Sequence, residues 1–274
     1  MRPKSFKGKL CVYCAESVCE SADHVFAREF FPEDDRSNTP KVPACNRCNN
    51  LKAELERYAT CVLPFGSRHP TAIKVIEEKM PRRLQKNLHT RRELLKGQGR
   101  MLVQEPNGLL LPVTTFTVDA LKIAELVRYV VQGLVWYHWD LYLKRSEADI
   151  GILTARVEGD GLTRAVFDAF LGRYVGLICH ARQDLGHGTA RYEGIGVQAP
   201  DQPVVSLWRL QLLDSIYSVP GGPAKGYLIS TTPHGVGLGS GIPLLVPSNM
   251  KVPKRGRVPK RGRYQNGVPK RGRS

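Results

Sequence analysis

The sequence predicts an α+β protein: a small zinc-stapled domain, then a mixed α+β domain, then a disordered basic tail. Three observations predict it. Two Cys-x-x-Cys pairs, Cys11/Cys14 and Cys45/Cys48, bracket thirty residues near the N-terminus. A long helical apolar stripe is followed by short strand-like runs separated by Gly and Pro. The hexapeptide Val-Pro-Lys-Arg-Gly-Arg occurs at 252–257, 258–263 and 268–273. The expected division is 1–64 for the zinc domain, 65–247 for the α+β domain and 248–274 for the tail.

Each Cys-x-x-Cys pair forms a knuckle that presents two thiolates, and two knuckles close a tetrahedral Zn²⁺ shell. A closed shell has no position for water, so this zinc is expected to be structural. In a segment with few apolar residues, its binding energy is folding energy. The other cysteines, Cys19, Cys61 and Cys179, read as incidental thiols.

Between the pairs lies Ser21-Ala-Asp23-His24-Val, and the second pair runs straight into Asn49-Asn50-Leu-Lys52. With a helix beginning near Ala44, Asn49 is about 100° around the axis from the ligand Cys48. Lys52, three residues on, shares the side of Asn49. Asp23 and His24, at the end of a strand leaving the first knuckle, are placed to meet that side.

After Pro64 the character changes. Residues 70–96 read as basic helical segments: Thr71 to Met80, a break at Pro81, then Leu84, Leu88, Leu94 and Leu95 among Lys and Arg. Residues 101–117 alternate around Pro106-Asn107-Gly108 as a hairpin. From Val118 to about Lys144, Leu121, Ala124, Leu126, Val127, Val130, Val131, Leu134 and Val135 make a broad apolar helix face. A second helix is expected over Thr163–Tyr174, and strands over 175–180, 191–198, 203–213, 215–219 and 226–231. Trp136, Tyr137 and Trp139 read as core rather than as a base-stacking platform. Glu54 and Glu56 read as a solvated face. The spacing of Cys179-His180 and His187 supports no Cys-His couple.

The net charge is +16, from 41 basic and 25 acidic residues. Ten Lys or Arg and no acid fall in 251–274, leaving a mildly basic body. A polyanionic partner is favoured, because basic side chains displace counterions from phosphates. The tail has almost nothing apolar and is expected to be a disordered arm tracking phosphates, with Lys254, Arg255, Lys260 and Arg261 as contacts. No apolar run approaches a membrane span and no secretory signal is legible, so a soluble, cytoplasmic protein with no membrane partner is expected.

The segments Cys11-Val-Tyr-Cys14, Ser21-Ala-Asp-His24-Val-Phe-Ala-Arg28 and Val42-Pro-Ala-Cys45-Asn-Arg-Cys48-Asn49-Asn50-Leu-Lys52 together resemble an HNH endonuclease of the zinc-containing ββα-metal class. The resemblance covers roughly residues 8–60. It implies that His24 is the general base, that Asp23 ligates a catalytic Mg²⁺ or Mn²⁺, and that Asn49 is the second protein ligand. It also implies that Asn38 orients the loop holding the histidine. Arg28 and Lys52 are read as solvated charges within reach of a phosphate. The implied reaction is hydrolysis of phosphodiester bonds, with DNA the expected substrate and RNA the alternative. A zinc module that binds nucleic acid without cutting it is the non-enzymatic alternative. Oligomeric state, strand specificity and biological setting are not legible.

Overall fold

The computed structural model describes residues 6–67, 69–104, 108–143, 149–156, 168–172, 176–198, 205–213, 216–217 and 224–232. The expected tail and its four named contacts, Lys254, Arg255, Lys260 and Arg261, lie outside them.

The chain opens with a bridge between Leu10 and Val18 that closes the first knuckle. Strands β1 (Ser21–His24) and β2 (Lys41–Ala44) pair antiparallel, Ser21 opposite Ala44 and His24 opposite Lys41. Helix α1 (Asn46–Val62) follows at once. It begins two residues past Ala44, near where it was expected; its N-cap is Cys45, whose sulfur accepts from the Cys48 N–H at 3.5 Å. Glu20 adds a carboxylate that accepts from the Asn46 N–H at 2.9 Å, a favourable charge at a helix N-terminus. The loop from β1 to β2 carries two short 3₁₀ turns, Arg28–Phe30 and Glu33–Arg36, and buries Val25, Phe26, Phe30 and Phe31.

The expected break at Pro81 is absent. Helix α2 (Pro70–Lys74) runs through a π-helical turn (Val75–Lys79) into α3 (Met80–Lys86). Pro81 falls in the first turn of α3, where its missing N–H is tolerated. The interruption comes at Asn87, whose backbone leaves the helical region and whose side chain caps α4 (Leu88–Lys96) by accepting from Thr90 N–H. The hairpin forms as β3 (Gly99–Gln104) and β4 (Leu110–Thr115), Gly99 opposite Thr115.

Helix α5 (Ala120–Trp139) is shorter than the apolar pattern suggested. Asp119 starts it, accepting from the N–H groups of Leu121 and Lys122, and left-handed Asp140 (φ 55°) ends it. The helix is apolar nearly all round and is buried on several faces: Ile123, Leu126, Val127, Val130, Val131, Leu134 and Val135 are all in the core. Gly133 permits the closest approach, since a Cβ there would lie 2.9 Å from Val25, the residue after His24.

The remaining strands build an antiparallel sheet from β5 (Asp149–Arg156), β6 (Leu177–Leu185), β7 (Ala190–Gln198), β8 (Val205–Leu212), β9 (Ile216–Tyr217) and β10 (Ala224–Thr232). Its order is β5-β10-β8-β7-β6, with β9 beside β10. Of the expected second helix, 168–172 is helical and the rest lies outside the described residues. Strand β5 was not expected, and β6 continues past 180. Its added stretch, Ala181 to Leu185, lies in the edge strand of the sheet and buries Ala181 and Leu185, while the polar Arg182, Gln183 and Asp184 between them read as loop in sequence.

One hydrophobic core runs from Cys11 to Leu213. The boundary expected at 64/65 therefore does not separate two cores. Phe26 stacks on Tyr192 of the sheet with ring centroids 5.7 Å apart, so the loop after His24 is part of that core. Trp136 is buried and Trp139 packs on Trp208, as expected of core residues, whereas Tyr137 is exposed. Among the described residues no helix is long and apolar enough to cross a membrane.

Candidate functional site

The four expected thiols converge. The sulfurs of Cys11, Cys14, Cys45 and Cys48 all lie within 4.8 Å of one another. Tetrahedral zinc with Zn–S bonds of about 2.3 Å needs sulfurs about 3.8 Å apart, so a small contraction closes the shell. Backbone geometry makes the first knuckle: Ala15 turns left-handed (φ 54°) and donates its N–H to the Cys11 carbonyl at 2.8 Å. Burial pushes the Cys11 thiol up to about 11. Burial also acts to raise Cys14, but the backbone N–H groups of Ser17 and Glu16 outweigh it and hold that thiol at about 7. Burial and the neighbouring sulfurs push Cys48 up as well. Such a cluster holds four thiolates together only with a dication among them. The donor set fits structural zinc.

Beside it, Ser21 and Asp23, on one face of β1, meet a stripe of α1. The Asn49 amide donates to Ser21 Oγ at 3.1 Å, and the Lys52 ammonium lies 3.0 Å from Asp23 Oδ2. Lys52 is completely buried. Its Nζ also donates to the His24 carbonyl at 2.6 Å and pairs with Glu56 one turn on. The Tyr13 hydroxyl donates to the same Asp23 oxygen at 2.5 Å. Burial acts to discharge Lys52, but Asp23 and Glu56 outweigh it and keep its pKa above the ordinary lysine value. Burial raises Glu56, with Lys52 opposing.

Two expectations fall here. Lys52 is not a solvated charge within reach of phosphate, because its ammonium is spent inside the protein. Glu56 is not on a solvated face, although Glu54 is. The physical reason is the same for both: β1 lays a carboxylate and a carbonyl against the Lys52 stripe of α1, and Glu56 turns in to pair with the fully buried ammonium.

His24 is half-buried beside this cluster, and its imidazole makes no hydrogen bond among the described residues. Burial, then the charges of Lys41 and Arg28, lower it to about 4 against the opposing pull of Asp23, so it is neutral at physiological pH. Asp23, His24 and Arg28 line a cleft of about 590 Å³, with Asn50, Ala53, Glu54, Glu56, Arg57 and Thr60 of α1 along the far wall. Arg28 is exposed at this cleft, as expected.

Asn49 does not line the cleft; its neighbour Asn50 does. Asn38 is exposed and makes no side-chain hydrogen bond among the described residues. The loop behind His24 is held instead by the Val25 N–H on the Pro40 carbonyl at 2.9 Å and by Thr39 Oγ1 on the Arg36 carbonyl at 2.9 Å. The side chain of Asn38 adds no hydrogen bond to those contacts among the described residues.

No protein-family model, curated protein or solved structure matches the chain.

Sequence reasoning missed Tyr13, Asn50, Arg57 and Thr60. Tyr13 carried no signal beyond lying inside a knuckle. Glu56 did carry one, since Lys52 and Glu56 are an i,i+4 pair of opposite charge.

A second cation is a different test from zinc. Among the described residues only the four cysteines bring three or more His, Cys, Asp or Glu donors together. A magnesium-like ion needs fewer, one or two protein oxygens with water completing its shell. Asp23 Oδ1 and Asn49 Oδ1 accept no hydrogen bond among the described residues. Asn49 lies outside the His24 cleft and the Lys52 ammonium already sits 3.0 Å from Asp23 Oδ2, so the described residues show no pair of oxygens converging on a second cation beside His24.

Proposed function

We propose that this protein is an HNH-type endonuclease that hydrolyses phosphodiester bonds in DNA, with His24 as its general base. The observation that carries the reading is His24 itself. A neutral imidazole with no hydrogen-bond partner among the described residues lines a cleft beside a buried carboxylate, on a strand pair that four thiols join to a helix.

A general base must be unprotonated at working pH and open to a water, and His24 meets both conditions. Lys52 grips the His24 carbonyl and so fixes the end of β1 from which the imidazole projects. Asp23 Oδ1 would hold a Mg²⁺ or Mn²⁺ ion, with Asn49, which lies outside the cleft, as second ligand only once its amide turns toward it; the ion supplies charge relief to the phosphate when bound. Arg28 at the cleft is positioned to bind a neighbouring phosphate oxygen.

The second reading is a zinc module that binds nucleic acid without cutting it. Lys52 favours it, because an ammonium 3.0 Å from Asp23 already neutralises the carboxylate that the reaction needs.

Incubation of the purified chain with supercoiled plasmid separates the two. The nuclease reading expects nicked or linear product with Mg²⁺ or Mn²⁺ and none with EDTA. Plasmid that is bound and left intact under both metals selects the binding module.

A further inference from the structure

The basic helices after Pro64 take no part in the chemistry above, and their charge is unevenly used. Residues 82–96 hold six Lys or Arg and a single acid, Glu93. Glu93 is committed to Lys122 of α5 at 2.9 Å. Arg83 turns inward, donating to the Thr60 carbonyl at 3.0 Å and to the Glu29 carboxylate at 2.9 Å. These two contacts fasten α3 and α4 to the body. What is left outside is Arg82 and Lys86 on α3 and Arg91, Arg92 and Lys96 on α4. All five are exposed, and none has an acidic partner among the described residues.

We propose that this face of α3 and α4 is where duplex DNA docks on its way to the His24 cleft. The inference deepens the nuclease reading and rests on it for the choice of DNA.

Continuity of the surface supports the path. A cavity of about 750 Å³ lined by Arg83, Lys86 and His89 shares Glu29, Glu54, Arg57 and Thr60 with the cleft that holds His24. The two are one groove along α1. On α4, His89, Arg92 and Lys96 form one stripe at i, i+3, i+7, with His89 at the groove and the two cations running outward from it. Arg82 and Lys86 form the matching i,i+4 pair on α3.

The composition favours a duplex over a single strand. Residues 79–100 contain no Phe, Tyr or Trp, and single-strand binding draws on aromatic stacking as well as charge. Fixed cations on helices suit the regular phosphate array of a duplex, whose contacts with Lys and Arg release counterions. Leu88 and Leu95 are exposed beside the cations, so an anionic vesicle is the necessary control.

The test uses the full chain carrying Arg82→Gln, Lys86→Gln, Arg92→Gln and Lys96→Gln together. Binding to a short DNA duplex is followed by fluorescence anisotropy across a salt series without added Mg²⁺ or Mn²⁺. Affinity should fall at least about tenfold, and the slope of log K against log salt should become shallower by about 3–4. Retained zinc content shows that the variant folds, and a second variant that exchanges Lys for Arg and Arg for Lys at these four positions should bind as wild type.

Unchanged duplex affinity and slope overturn the proposal. So does an equal or larger loss on single-stranded DNA, duplex RNA or a phosphatidylserine vesicle. Wild-type chain that binds duplex through this face yet never cuts plasmid sinks the nuclease reading and leaves the docking surface standing.

Discussion

The strand pair beside the cysteines and the large sheet are both antiparallel, yet different forces fix them. In the strand pair, β1 and β2 contribute four residues each, and what holds them to α1 is charge and sulfur. Asp23, Lys52, Glu56 and Tyr13 form a buried polar knot, and four thiols sit at its edge. In the sheet, β7 and β8 are held by fit. A Cβ on Gly194 would lie 2.3 Å from the ring of Trp208, its cross-strand partner, so only glycine allows the tryptophan to lie flat there. The contrast teaches where chemistry is placed. The polar knot keeps oxygens and an imidazole in reach of water, and the apolar sheet supplies the rigid backing through Phe26 and Tyr192.

The largest effect should come from the sulfur side. Cys45→Ser removes one of the four thiols that could hold zinc, and structural zinc in small peptides is worth about 10–16 kcal/mol. Zinc content should fall towards zero, and limited proteolysis should cut within residues 10–62 first. Retention of a full zinc complement would show that the thiols are not its ligands.

Next is the polar knot. Lys52→Met leaves Asp23 and Glu56 buried without their cation, a change worth about 3–5 kcal/mol of destabilisation. The denaturant midpoint should drop accordingly, while Lys52 on a solvated face would give almost no change. In the sheet, Gly194→Ala overpacks Trp208 and should cost about 1–3 kcal/mol with zinc content unaltered. Loss of zinc in that variant would mean that the two regions are not held independently. Smallest of all, Asn38→Ala should change stability by less than about 0.5 kcal/mol and leave plasmid cutting intact, since Thr39 and Pro40 hold its loop.

The parts of this contrast were unequally legible in the sequence. The zinc staple was written in spacing alone, because two Cys-x-x-Cys pairs leave few other arrangements. The β1–β2–α1 order was expected only through the resemblance to the zinc-containing ββα-metal class; position alone gave one strand before His24 and a helix after the second pair. The apolar stripe of α5 was visible, though its ends were set by Asp119 and Asp140 rather than by the stripe. Lys52 was misread because a lysine on a helix is ordinarily solvated; only the tertiary placement of Asp23 and the His24 carbonyl makes its burial tolerable. Strand β5 and the second half of β6 escaped notice for another reason. Edge strands tolerate polar residues and glycine, which read locally as loop.

The account stands most directly on His24→Ala assayed for plasmid cutting with Mg²⁺ across pH. Burial and the charges of Lys41 and Arg28 keep this imidazole neutral down to about pH 4, so wild-type cutting should persist at pH values below 6.5 and fall only as pH descends through about 4. The variant should lose cutting by a factor of at least about 100 at pH values above about 5, and the gap should close as pH falls below about 4, while zinc and affinity for DNA are kept. Cutting by His24→Ala at the wild-type rate would contradict the account.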